Sequence, residues 1–120
     1  MAHHYIRKHL LLKLGIFDIP QEKLNIENLK RTEWSDTFEQ LMRNRLVVGA
    51  FRYGTFHAPN KSKFNNIQSI IERAKLYKKD HNTEHLVDIA NLALCEFVEP
   101  SYQDCHFKSK DDGIHKLEIT

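Results

Sequence analysis

Residues 83 to 98 constrain the fold more than any other stretch of this chain. Leu86, Val87, Ile89, Ala90, Leu92, Ala93, Leu94, Phe97 and Val98 follow Thr83 and Glu84, so apolar side chains fall nearly all round a helix. A helix of that kind sits at the centre of a bundle or is covered by a second subunit. Thr83 is its expected N-cap, Glu84 suits the positive end of the helix dipole, and Pro100 ends it.

Three further helices are expected around it. His3 to Leu14 carries Tyr5, Ile6, Leu10, Leu11 and Leu14 at helical spacing, with Gly15 as its stop. Ser35 caps a long helix in which Phe38, Leu41, Met42, Arg45, Leu46, Gly49 and Tyr53 form one stripe, and Gly54 closes it. Ser62 is the expected cap of a helix running to about Asp80, with Phe64, Ile67, Ile70, Ile71, Ala74 and Tyr77 on one face. Gln21 to Lys30 is a candidate short helix. The connection Asp80-His81-Asn82 is so short that the last two helices must return antiparallel.

The expectation is therefore an all-α fold: a small antiparallel bundle of four to five helices over residues 1–100, with an irregular polar extension over 101–120. Only 4 Gly and 3 Pro occur in 120 residues, too few for a turn-rich β-sandwich. The tail holds a turn at Asp112-Gly113, and an edge strand around Ile114, Leu117 and Ile119 is the one β candidate. So short a chain covers an all-round apolar helix poorly by itself, so a homo-oligomer is expected.

Charge and composition narrow the function classes. Lys and Arg number 18 against 16 Asp and Glu, a balance that gives no reason to expect a nucleic-acid partner. The basic face of the third long helix carries no interleaved exposed aromatics and reads as solvated. No apolar run is long enough for a membrane span. Two cysteines, Cys95 and Cys105, make no disulfide framework, and a cytoplasmic location is expected.

The chemistry-bearing residues gather on the last helix. Glu84, Asp88 and Asn91 share one face, and His81 and His85 lie close to it. From Thr83 to Glu99 there are four acids and no Lys or Arg; from Lys61 to Lys79 there are six basic residues and one acid. Carboxylates beside cations can hold Mg²⁺ while the cations hold phosphates. The structural alternative is that Asp88 pairs with Arg52, Arg73 or a backbone donor and only ties helices together. Arg52, Tyr53 and His57 form a second constellation: a guanidinium for phosphate, a ring for stacking on a base, and an imidazole nearby. Its alternative is a core tyrosine beside a cation that complements the helix dipole. Arg43 and Arg45 read as surface or interface residues. Eight histidines invite zinc, but their spacing does not build a four-ligand site. Cys95 lies in the apolar helix, where its thiol pKa should rise.

Two segments carry a family resemblance. Leu46-Val47-Val48-Gly49-Ala50-Phe51-Arg52-Tyr53-Gly54, and the later Glu84-His85-Leu86-Val87-Asp88-Ile89-Ala90-Asn91, resemble small phage-type dATP/dGTP diphosphohydrolase-like proteins. The second segment is also similar to the metal-binding helix of MazG-like all-α nucleotide pyrophosphohydrolases. The resemblance implies Mg²⁺-dependent cleavage of a nucleoside triphosphate in an oligomeric bundle, in a bacterial host cytoplasm if the chain is phage-encoded. It implies Glu84 and Asp88 as metal ligands and catalytic groups, with Arg52, Tyr53, His57, Arg73 and Asn91 toward the nucleotide. The chain departs from the pattern at two places. Glu39 is followed three residues later by Met42 rather than Glu, and His85 stands three residues before Asp88 where Glu is expected. The second expectation is therefore a non-catalytic anti-defence protein that sequesters a nucleotide-derived signal or binds a host defence protein.

Overall fold

The computed structural model describes residues 24–109, 116, 118 and 119. The expected helix at His3 to Leu14, its Gly15 stop, the turn at Asp112-Gly113 and, but for Ile119, the candidate edge strand around Ile114 and Leu117 lie outside the described residues. Among the described residues the fold is all-α: helices α1 (Ile26–Thr32), α2 (Asp36–Tyr53), α3 (Asn66–Asp80) and α4 (Glu84–Val98), with no strand. The chain divides into two compact units, one of residues 1–34 with 107–120 and one of residues 35–106. None of these helices is long and apolar enough to cross a membrane.

In the first unit, α1 starts where Asn25 can cap it. The Asn25 Oδ1 accepts from the backbone N–H groups of Glu27 and Asn28 at 2.9 and 3.3 Å, and Ile26 is buried beside that cap. The expected helix from Gln21 to Lys30 is met only in part: α1 begins at Ile26, where Asn25 takes the orphaned donors, and runs two residues past Lys30 to Thr32.

The second unit is a three-helix assembly. Ser35 caps α2 as its position predicts, its Oγ accepting from the Phe38 N–H at 3.1 Å. Gly54 ends α2 at φ 95°, ψ 156°, a conformation open to glycine and strained for any side chain. α3 starts three residues later than Ser62 suggests. Asn65 is the cap, with its Oδ1 2.9 Å from the Gln68 N–H. Residues 61–64 are held out of the helix by other partners: Lys61 binds the Thr55 carbonyl and Glu99, and the Phe64 ring packs edge-on against Tyr53 at 5.2 Å between centroids.

The α3–α4 turn also departs from expectation. Thr83 makes no side-chain cap bond; Asn82 caps instead, its Oδ1 accepting from the Glu84 N–H at 3.0 Å. The Asn82 N–H in turn donates to Asp80 Oδ1 at 2.9 Å, and His81 takes the left-handed conformation that closes α3. The two helices run antiparallel, as the short turn requires. Three contacts step along them in opposite senses: Asn66 with Glu96, Arg73 with Asp88, and Asp80 with His85.

α4 is the central element, touching both α2 and α3. Val87, His85 and Asn91 are its buried residues, while Phe97 stays three-quarters exposed. The all-round apolar pattern is thus only partly covered among the described residues. On α2, Met42, Leu46 and Gly49 are half-buried, but Leu41 of the expected stripe faces water. The described residues after Val98, through 109, form no regular element, in keeping with an irregular extension.

Candidate functional site

The polar face of α4 meets an arginine from α2. Arg45 Nη2 lies 2.7 Å from Glu84 Oε1 and 3.2 Å from Asp88 Oδ1. From the other side, Arg73 Nη1 of α3 lies 3.6 Å from Asp88 Oδ2. Asp88 is largely covered, at 14% side-chain exposure, so its charge depends on these guanidinia for compensation. The Glu84 hydrogen bond, and then the Asp88 charge, raise the Arg45 pKa above its usual value.

His85 extends the network under the helix turn. Its Nε2 is 2.9 Å from Asp80 Oδ2 and its Nδ1 is 3.4 Å from Arg73 Nη1. Nε2 meets Asp80 of α3 and Nδ1 meets Arg73 of the same helix, so the ring bridges α3 and α4. The His85 hydrogen bond is the largest of the effects that lower the Asp80 pKa.

Asn91 lies one turn beyond Asp88 on the same face. It is 8% exposed and its Nδ2 donates to the Met42 carbonyl at 3.0 Å. Its Oδ1 is buried with no hydrogen-bond partner among the described residues. A buried amide oxygen without a donor costs about 1–3 kcal/mol.

The expected site residues therefore separate into two groups. Glu84, Asp88, Arg73 and Asn91 line one stretch of α4. Tyr53 and His57 sit in another region, about the loop 54–65. Tyr53 packs edge-on against Phe64, and His57 donates its backbone N–H to Glu99 Oε2 at 2.8 Å. Glu99 is eleven residues after Asp88, about 16 Å along a helix axis. Arg52 is exposed in the last turn of α2. The second region is a clasp: Glu99 also takes Lys61 Nζ at 2.7 Å, and that cation lies 5.5 Å from the centre of the Phe56 ring.

Arg45, expected at the surface or an interface, is partly exposed where α2 meets α4. Its signal was positional: it shares the α2 stripe with Met42, Leu46 and Gly49, which faces α4. Among the described residues no group of three or more His, Cys, Asp or Glu converges as a metal cage would. Cys95 and Cys105 are free thiols, and burial pushes the Cys95 thiol pKa up.

No family model, no curated protein and no solved structure matches this chain.

Proposed function

We propose that this chain is a non-catalytic binding protein whose partner is another protein. The observation that carries the reading is the position of Arg45, bonded to both Glu84 and Asp88. A guanidinium between two carboxylates neutralises the charge that a Mg²⁺ site needs, and Arg73 adds a second cation on Asp88. The network then serves to join α2, α3 and α4. The separation of Arg52, Tyr53 and His57 from Arg73 and Asn91 weakens a single nucleotide pocket and favours a broad surface. α3 offers one: Ile67 and Ile71 are exposed beside Lys75 and Lys78, an apolar and basic strip suited to an acidic protein face.

A second reading keeps the Mg²⁺-dependent nucleotide pyrophosphohydrolase, and the unpartnered Asn91 Oδ1 favours it. Swinging Arg45 aside would leave Glu84, Asp88 and Asn91 as oxygen donors on one helix face, the donor type Mg²⁺ prefers. Isothermal titration against deoxynucleoside triphosphates and cyclic dinucleotides with Mg²⁺, with products resolved by chromatography, separates the readings. The binding-protein reading expects neither heat nor conversion. Pyrophosphate release abolished by EDTA and by Asp88→Ala would overturn it, and ligand bound but recovered intact would make the chain a nucleotide sponge.

A further inference from the structure

The end of α2 and the loop after it carry three aromatic rings that no packing buries. Tyr53, Phe56 and Phe64 are 54%, 40% and 51% exposed. Tyr53 and Phe64 meet edge-on, with 5.2 Å between centroids and 70° between planes. An edge-on pair covers one ring face, where a parallel stack would cover one on each ring. Phe56 lies against a cation, with Lys61 Nζ 5.5 Å from its centre. The near-balance of charge over the whole chain does not extend here: residues 40–71 hold five Lys and Arg and no Asp or Glu. Arg52 and Lys63 adjoin Tyr53 and Phe64 in sequence, and both are exposed.

We propose that Tyr53, Phe56 and Phe64, with Arg52 and Lys63 beside them, bind single-stranded nucleic acid. The rings stack on unpaired bases and the two cations meet the phosphates between them. Aromatic faces interleaved with cations are the recurring chemistry by which proteins hold such strands. The ligand has to present flat faces and closely spaced negative charge together. A duplex keeps its base faces within its own stack, and an acidic polypeptide supplies the charge without the faces. Three rings offer more stacking surface than one base uses, so a strand fits the patch better than a mononucleotide. The inference adds a ligand to the protein partner proposed above and does not use the α3 strip.

The loop is already held in place. Glu99 Oε2 accepts from the His57 N–H at 2.8 Å, while Lys61 Nζ binds Glu99 Oε1 at 2.7 Å and the Thr55 carbonyl at 3.1 Å. Phe56 thus stands between two anchored residues, and less conformational freedom is lost when a ligand meets a loop that is already fixed. The same contacts occupy the acids. Among the described residues Glu96 and Glu99 reach this end of the unit, and both are taken: Glu99 by His57 and Lys61, Glu96 by Asn66 and Ser101. Neither Arg52 nor Lys63 makes an ion pair among the described residues, so both charges are open to a phosphate.

The test is fluorescence anisotropy of a labelled oligothymidylate of about twelve nucleotides titrated with the full chain. A Kd of roughly 10–100 µM is expected at low salt. It should weaken as salt rises, with a log–log slope of about −1.4, or 0.7 for each of two phosphates. Tyr53→Leu and Phe64→Leu keep an apolar contact between these positions but remove a stacking face, and each should weaken binding about fivefold or more. Arg52→Gln and Lys63→Gln, whose side chains are in water, should leave the helical circular dichroism unchanged and each reduce the slope by about 0.7. Absence of binding at low salt overturns the proposal, as does undiminished binding in both ring variants. A slope that falls instead with Lys75→Gln or Lys78→Gln would place the strand on α3 and overturn it too. Displacement by polyglutamate as readily as by unlabelled oligothymidylate would make the surface a site for acidic protein. Thymidine monophosphate competing as well as the oligonucleotide would reduce the ligand to one nucleotide. Either result overturns a site for strands.

Discussion

Arg45 and Asp88 stand 43 residues apart in the chain and 3.2 Å apart in space. The pair, with Glu84 and Arg73 beside it, links three helices whose apolar contacts are thin. Exposed ion pairs contribute little, but Asp88 is mostly covered, and removing one partner leaves a poorly solvated charge.

Arg45→Ala should therefore destabilise the fold by about 1–2 kcal/mol, intermediate between an exposed and a buried pair. In urea denaturation, Asp88→Asn should cost less in the Arg45→Ala background than in the wild type. Additive losses would mean that the two side chains do not interact.

Asn91 distinguishes a structural α4 face from a ligand-binding one. Asn91→Leu removes an amide oxygen without a donor and adds apolar contact, at the loss of one bond to the Met42 carbonyl. Stability should change by less than about 1 kcal/mol in either direction. Asn91→Asp should lose about 1–3 kcal/mol near neutral pH, because the new carboxylate would be buried beside Asp88 and can find no donor on its free oxygen. Thermal melts of the two variants in one buffer provide the comparison.

Gly54→Ala should cost about 1–3 kcal/mol, since φ 95° with ψ 156° is a region that side chains rarely enter. The space beside it is adequate, with Lys61 carbons 3.6 Å from a Cβ placed there, so the loss would come from the backbone rather than from a clash. A chemical-denaturation midpoint that does not move would show that the loop 54–65 relaxes freely.

Acid should weaken the fold through three carboxylates. Lys61 lowers the Glu99 pKa, the Ser101 N–H lowers that of Glu96, and His85 lowers that of Asp80. Each binds its proton more readily when unfolded. Their contribution is thus complete above the ordinary carboxylate values of about 4, and disappears as pH falls through the lower folded-state values. The urea midpoint should fall between pH 5 and about 3. Glu99→Gln should flatten that fall, and an unchanged slope would mean that the Lys61–Glu99 clasp is not formed in solution.

Ser35 and Gly54 mark α2 in the sequence, and the short Asp80-His81-Asn82 turn dictates the antiparallel return, because caps and turns act within a few residues. The start of α3 and the cap of α4 were not legible in the same way. Ser62, Asn65, Thr83 and Asn82 are all competent caps. Lys61 and Phe64 drew the chain before Asn65 away to Glu99 and Tyr53, and Asp80 turned Asn82 rather than Thr83 toward the helix end.

The acidic face of α4 and the apolar pattern round it follow from residue spacing alone, for helical periodicity places Glu84, Asp88 and Asn91 together whatever surrounds them. What those groups face was decided by tertiary packing. Periodicity shows that Arg45 shares a stripe with Met42 and Leu46, but not that α2 lies against α4 so that its guanidinium reaches both carboxylates. That pairing depends on which helices stack and in what register, and it fixes whether two carboxylates on a helix stay open to a cation or are closed by one already in the chain.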